Sequence, residues 1–186
     1  LYVAGQFVEV TGSGYAPEGQ FHTGGVALEV GPRPRDSLAE GVRDLLEAAA
    51  LASDAHLVRD AARDSWEIKG DPTEGALVVA AAKAGLHKPE LDAARPRVHE
   101  IPFTSESKRM TTLHACPGGV VAFAKGAPEI MLAACTYEWT PVGAVTLDAP
   151  GRARVLAAAQ RLASDALRVL AVATLRDATP GNCERG

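Results

Sequence analysis

Three strand-like runs, Val98 to Phe103, Arg109 to Ala115 and Val120 to Lys125, follow one another closely, and only Cys116-Pro117-Gly118-Gly119 separates the last two. A turn that short serves a hairpin, because a crossover between parallel strands takes roughly a dozen residues or more. This stretch therefore commits the chain to antiparallel pairing. Around it, Leu1 to Val10 reads as two short strands about Ala4-Gly5, and Thr11 to Gly25 as an irregular loop. Val26 to Val30, Trp66 to Ile68 and Arg168 to Leu175 are further strands.

Helix signals interrupt the strands. Ser37-Leu38-Ala39-Glu40 is a capping box opening a helix to about Ala52, with Leu38, Val42, Leu45, Leu46 and Ala49 on one face. Asp71-Pro72-Thr73-Glu74 starts a second helix, which Gly85 ends. Pro128 starts a short one, and Asp148 with Pro150 a longer one to about Asp165. The expected fold is α+β, a twisted antiparallel β-sheet flanked by helix pairs. No repeat or composition shift divides residues 1–186, so one domain is expected.

Charge and cysteine usage narrow the function. A net charge of −4 argues against a general nucleic-acid binder, so any anion site must be a local cluster of cations. No apolar run is long enough to cross a bilayer, and the chain reads as a soluble one in a reducing, cytoplasmic setting. Its cysteines, Cys116, Cys135 and Cys183, suggest no disulfide framework. The two commonest phosphate cradles, GxxxxGK[ST] and GxGxxG after a strand, are missing. His114 and Cys116 read as a strand and a turn residue, the other histidines show no ligand spacing, and Trp66 and Trp139 read as packing groups.

Alternation along strands places Lys108 beside Met110, Lys125 beside Phe123 and Arg168 beside Leu170. If these strands are neighbours sharing a face, they form an apolar floor edged with positive charge. Such a surface suits an adenosine phosphate, whose base is a flat apolar plate and whose tail is anionic. Phe103 precedes a loop that can offer its ring for stacking, and Glu74 can accept from an exocyclic amine. Plainer roles stand beside these. Phe103 is equally a core aromatic, Glu74 a capping-box residue, Lys108 and Arg168 solvated charges, and Lys125 a strand-end lysine before a turn.

Four segments occur in order: Lys69-Gly70-Asp71-Pro72-Thr73-Glu74-Gly75-Ala76-Leu77, Ile101-Pro102-Phe103-Thr104-Ser105-Glu106-Ser107-Lys108-Arg109-Met110, Lys125-Gly126-Ala127-Pro128-Glu129 and Leu167-Arg168-Val169-Leu170-Ala171. Together they resemble the nucleotide-binding domain of P-type cation-transporting ATPases, most closely the type II pumps for calcium, manganese, sodium or similar ions. The resemblance covers nearly the whole chain. It implies that Glu74, Phe103, Lys108, Met110, Lys125, Gly126, Arg168 and Leu170 form a nucleotide site. In it Lys108 and Arg168 meet the phosphates, Lys125 lies deep in the pocket, and Gly126 lets the backbone approach the base. Ser105 and Ser107 depart from the family, whose members often carry a charged residue there.

The resemblance further implies a domain excised from a membrane pump, since the Asp-Lys-Thr-Gly-Thr and Thr-Gly-Glu motifs are missing. ATP would be the ligand, with Mg2+ in the parent enzyme, and no residue here would be catalytic or bind metal. Its partners would be the phosphorylation and actuator domains of the same polypeptide, on the cytoplasmic side of a plasma membrane. Two other readings remain open: a free-standing ATP sensor, and a phosphohydrolase using Asp71 and Glu74 with a metal.

Overall fold

The chain begins with a hairpin, β1 (Tyr2–Val3) and β2 (Gln6–Phe7), whose turn residues Ala4 and Gly5 take φ of 53° and 80°. A computed structural model describes residues 1–184. It divides into two compact units, Leu1–Leu91 and the residues from Asp92 onward.

In the first unit β3 (Glu9–Val10), β4 (Phe21–Thr23) and β5 (Val26–Leu28) form a three-stranded antiparallel sheet in that order. Strand β4 lies inside the stretch expected to be irregular. Three residues show no readable alternation, and β4 exists because it is paired on both sides, Phe21 opposite both Val10 and Leu28. Helix α1 (Ser37–Leu51) is capped one residue earlier than expected, with Asp36 Oδ1 accepting from Ala39 N at 2.8 Å. Its apolar stripe buries Leu38, Val42 and Leu46 against Val8, Phe21, Ala81 and Leu86. Each such Leu or Val removed from water contributes about 1.5–3 kcal/mol.

A hairpin of β6 (His56–Asp60) and β7 (Ser65–Lys69) follows. Only the Trp66 to Ile68 part was legible, because β6 is largely polar. Helix α2 (Pro72–Lys83) starts as expected, with Asp71 Oδ1 accepting from Thr73 N and Glu74 N at 2.8 and 3.2 Å. Beyond its end, Gly85 takes φ +72°, a left-handed conformation that glycine adopts without steric cost. The boundary between the units falls within a short helix α3 (Lys88–Ala94), which no sequence signal announced.

The second unit is organised by β8 (Arg97–Ile101), β9 (Arg109–Cys116) and β10 (Gly119–Gly126). They are followed by α4 (Pro128–Ala134), the hairpin β11 (Tyr137–Thr140) and β12 (Gly143–Thr146), and α5 (Ala149–Ser164). Strand β13 (Ala171–Arg176) and α6 (Pro180–Glu184) complete it. The four-stranded sheet runs β13-β10-β9-β8, antiparallel throughout. Asp148 caps α5 as expected, accepting from Gly151 N at 2.8 Å. From α5, the Arg152 guanidinium donates to the carbonyls of Leu132 and Cys135, satisfying acceptors that the end of α4 leaves open. The fold is mixed helix and antiparallel sheet, as the turn and cap signals required.

Candidate functional site

Antiparallel order decides which residues meet. The end of β8, the start of β9, the end of β10 and the start of β13 lie at one end of the four-stranded sheet, because Arg109 pairs with Gly126 and Gly126 with Ala171. Ile101, opposite Thr111, ends β8 at the same edge. The segments carrying Phe103, Lys108, Met110, Lys125, Gly126, Arg168 and Leu170 therefore converge there, although Leu170 lies 67 positions after Phe103. No local pattern could have brought them together.

Residues directly opposite on paired strands share a face. Met110, Lys125 and Val172 form one such row, with Thr112, Phe123 and Thr174 in the next. Met110 is 4% exposed and Lys125 7%, and the Lys125 ammonium donates to the Met110 sulfur at 3.1 Å. A cation so nearly buried keeps little of its hydration, so its field acts at close range with less screening. Phe123, 4% exposed, extends the apolar floor. His114 meets its ring edge-on at 5.3 Å, and the Arg95 guanidinium lies 5.9 Å from the ring centroid. His114 is itself tied down, Nδ1 to the Arg95 carbonyl at 2.8 Å and Nε2 to Thr112 Oγ1 at 2.9 Å.

Two parts of the strand-alternation argument fail. Lys108 precedes β9 and has φ 48°, and Arg168 and Leu170 precede β13, which begins at Ala171. Alternation therefore does not orient any of the three. Lys108 is instead set by its backbone: its N–H donates to Thr104 O at 2.8 Å and its carbonyl accepts from Ala127 N at 3.0 Å. Within the same loop Thr104 Oγ1 accepts from Ser107 N at 3.0 Å and donates to Ser107 Oγ at 2.9 Å. This cross-linked turn carries Phe103, which is 60% exposed, so the ring is a surface group and not a core aromatic. Lys108 and Arg168 are exposed, and Leu170 is half-buried.

Gly126 has a structural reason of its own. A Cβ there would lie 2.5 Å from the Lys108 carbonyl oxygen and 2.8 Å from Arg109 Cβ, so the close passage of β10 past β9 requires glycine. Arg109 points away from the Lys125 face, as its alternation requires, and donates to the Cys183 carbonyl in α6 at 3.0 Å. That opposite face buries Leu113 and Ala122 with Ala178 and Cys183.

Glu74 belongs to the first unit. Its Oε2 accepts from the backbone N–H groups of Asp54 at 2.7 Å and Ala55 at 3.0 Å, tying the start of α2 to the α1–β6 connection. Around this clasp the chain is tight: a Cβ on Gly75 would strike Ile68 at 2.6 Å, and one on Gly70 would strike Ala55 at 2.9 Å. Sequence reading anticipated neither this clasp nor the partners of Lys125 and Arg109, since all depend on contacts distant along the chain. Among the described residues no group of three or more His, Cys, Asp or Glu could hold a metal ion. No helix among them is long and apolar enough to cross a membrane.

The chain matches known proteins over this whole region. The family described as P-type ATPase, cytoplasmic domain N, matches residues 41–182, a range that contains all eight residues singled out above. The chain is 45% identical over 168 residues to the probable cation-transporting ATPase F of Mycobacterium tuberculosis, covering 88% of this chain and 17% of that protein. It is 35% identical over 174 residues to the cation-transporting ATPase pma1 of a Synechocystis species, covering 93% and 18%. Against the calcium-transporting ATPase of Bacillus subtilis the identity is 29% over 175 residues, covering 93% and 19%. The chain thus spans less than a fifth of the length of these curated relatives.

Proposed function

Because the chain belongs to the family of P-type ATPase cytoplasmic N domains, we propose that it binds ATP and presents the γ-phosphate to the phosphorylation domain of a cation-transporting pump. The observation that carries this is the convergence of Phe103, Lys108, Met110, Lys125, Gly126, Arg168 and Leu170 at one sheet end. In this reading the exposed Phe103 ring stacks on adenine, contributing about 1–3 kcal/mol by analogy with base stacking on aromatics. Half-buried Leu170 gives the base an apolar contact, and the nearly buried Met110 holds the Lys125 ammonium as a positive charge beside it. Lys108 and Arg168, both exposed, neutralise the phosphate tail, Arg168 through the planar fork that suits two phosphate oxygens. Glu74 lies in the other unit and its Oε2 already accepts from Asp54 N and Ala55 N, so its assignment to the adenine amine rests on its motif alone.

Mg2+ is assigned to the parent enzyme. The whole enzyme would be an ATP-hydrolysing ion translocase, with this domain on the cytoplasmic side and its phosphorylation and actuator domains as partners. The fragment itself would not turn over, because it contains no Asp-Lys-Thr-Gly-Thr sequence to accept the phosphoryl group. The rival phosphohydrolase reading needs Asp71 and Glu74 to hold a metal, and among the described residues no group of three or more His, Cys, Asp or Glu could hold one.

The test is an NMR titration of the 186-residue chain with ATP and with GTP, repeated on Phe103→Ala. ATP should shift the resonances around Phe103, Lys108, Lys125 and Arg168 more than GTP does, and the variant should lose most of that response. Undiminished ATP binding by Phe103→Ala would discard the stacking role. Catalytic phosphate release by the purified chain would discard the whole reading in favour of a hydrolase.

A further inference from the structure

A second candidate surface lies in the first unit, along the outer edge of β5. Thr11 N donates to Gln20 O at 2.9 Å, so position 20 spends its backbone bonds on the β3 side. Bonding direction alternates along an antiparallel ladder. Phe21 and Thr23 therefore bond toward β5, meeting Leu28 and Val26, while His22 bonds toward Glu9 in β3. Ala27, opposite His22, is left with its N–H and C=O aimed away from the sheet. Ala27 is exposed, and β5 is the last strand of its sheet.

This edge opens onto a groove of about 670 Å³ lined in part by Ala27, Leu28 and Val30. Past β5 the sequence Gly31-Pro32-Arg33-Pro34-Arg35 runs along the same groove. Arg33 and Arg35 both line the groove while Pro34 between them does not, and both arginines are exposed. Neither makes an ion pair or hydrogen bond among the described residues, although the chain as a whole carries a charge of −4. Lys83 adds a third cation, fixed by donating to Thr11 O and Gly12 O at 2.7 and 3.0 Å. Glu29 is the one carboxylate in the lining, so the groove is locally basic on an acidic molecule.

The geometry points to a docking site for an extended acidic segment of a separate polypeptide, which adds to the β5 edge through Ala27 and places carboxylates on Arg33 and Arg35. An extended peptide satisfies both the outward N–H and the outward C=O of Ala27, which a simple anion cannot do because it offers no donor to the carbonyl. Carboxylates suit the two guanidinium groups through paired, charge-assisted hydrogen bonds. Half-buried Leu28 and Val30 in the lining meet alternate side chains of the same segment.

The probe is the peptide acetyl-Glu-Val-Glu-Val-Glu-amide, titrated into the 15N-labelled 186-residue chain. The resonances of Ala27, Arg33 and Arg35 should move, and the double variant Arg33→Ala/Arg35→Ala should bind about tenfold more weakly. Both arginines are exposed and unbonded, so the variant should keep the wild-type spectrum elsewhere. A backbone N-methylated version of the peptide should not bind. Equal binding by the double variant overturns the proposal, as does equal binding of the N-methylated peptide. Tripolyphosphate shifting the same resonances as strongly as the peptide would also overturn it, leaving a simple anion site.

Discussion

The Lys125 ammonium lies 3.1 Å from the Met110 sulfur, at the end of the sheet where β9 and β10 pair, with both side chains nearly buried. A thioether is a weak acceptor and carries no charge of its own. Lys125→Met replaces the charge with an apolar chain of similar length. Stability should then change by no more than about 1 kcal/mol, since exchanging a buried ion for a packed apolar group is often neutral or better. ATP affinity should fall at least about tenfold, as expected for a lost charge-assisted contact. Urea denaturation and calorimetric titration on the same sample separate the two effects, and unchanged affinity would remove Lys125 from the nucleotide site.

Gly126→Ala should act on the fold. The added methyl meets the Lys108 carbonyl oxygen at 2.5 Å and Arg109 at 2.8 Å, and both β9 and β10 are fixed by their pairing. Overpacking of this kind costs about 1–3 kcal/mol. A lowered urea midpoint is the expected result. A variant as stable as the parent would mean that the strands separate there more easily than their register indicates.

Glu74→Ala removes the acceptor that Asp54 N and Ala55 N share on Oε2. The Ala55 bond is partly buried, where an unsatisfied donor costs about 1–3 kcal/mol, whereas the Asp54 bond is exposed and water can replace it. Glu74→Gln keeps an amide oxygen for those groups and should cost less. Hydrogen exchange at Asp54 and Ala55 should accelerate in the alanine variant and much less in the glutamine one. Equal protection in both would show that other contacts hold the α1–β6 connection.

Burial pushes the thiols of Cys135 and Cys183 above their ordinary value of 9.0, opposed in part by Arg152 and Arg109 respectively. A raised folded-state value favours the protonated thiol in the native chain. The associated stability is therefore complete below pH 9 and is lost as pH rises through the folded values. Iodoacetamide should alkylate both residues more slowly in the folded than in the urea-unfolded chain at pH 8, because the thiolate is the nucleophile. Equal rates in the two states would contradict this.

Much of the fold was legible because its punctuation is local. Asp71 with Pro72, Asp148 with Pro150, and Gly85 mark helix ends through bonds within three or four residues, and the structure keeps all of them. The β9–β10 hairpin was readable for the same reason. The cap of α1 was misplaced by one residue because Asp36 and Ser37 are both good caps and only the observed bond to Ala39 N separates them. Strands β4, β6, β11 and β12 escaped notice: they are short or polar, and their neighbours hold them in place. For the candidate site, the residue types at each motif were plain, but their orientation was not. Alternation presumed strands at Lys108 and Arg168, whereas both sit in connections.

The sequence by itself determined the antiparallel hairpin, most helix boundaries and the family to which the chain belongs, since each rests on adjacent residues or on motifs in a fixed order. Only the tertiary structure decided that β13 pairs with β10, carrying the Arg168 segment to Gly126, and that Glu74 clasps Asp54 and Ala55. Those are contacts between residues twenty or more positions apart, or nearly so. They are chosen by which apolar faces bury together and which backbone groups must then find partners, and no window of sequence contains that choice.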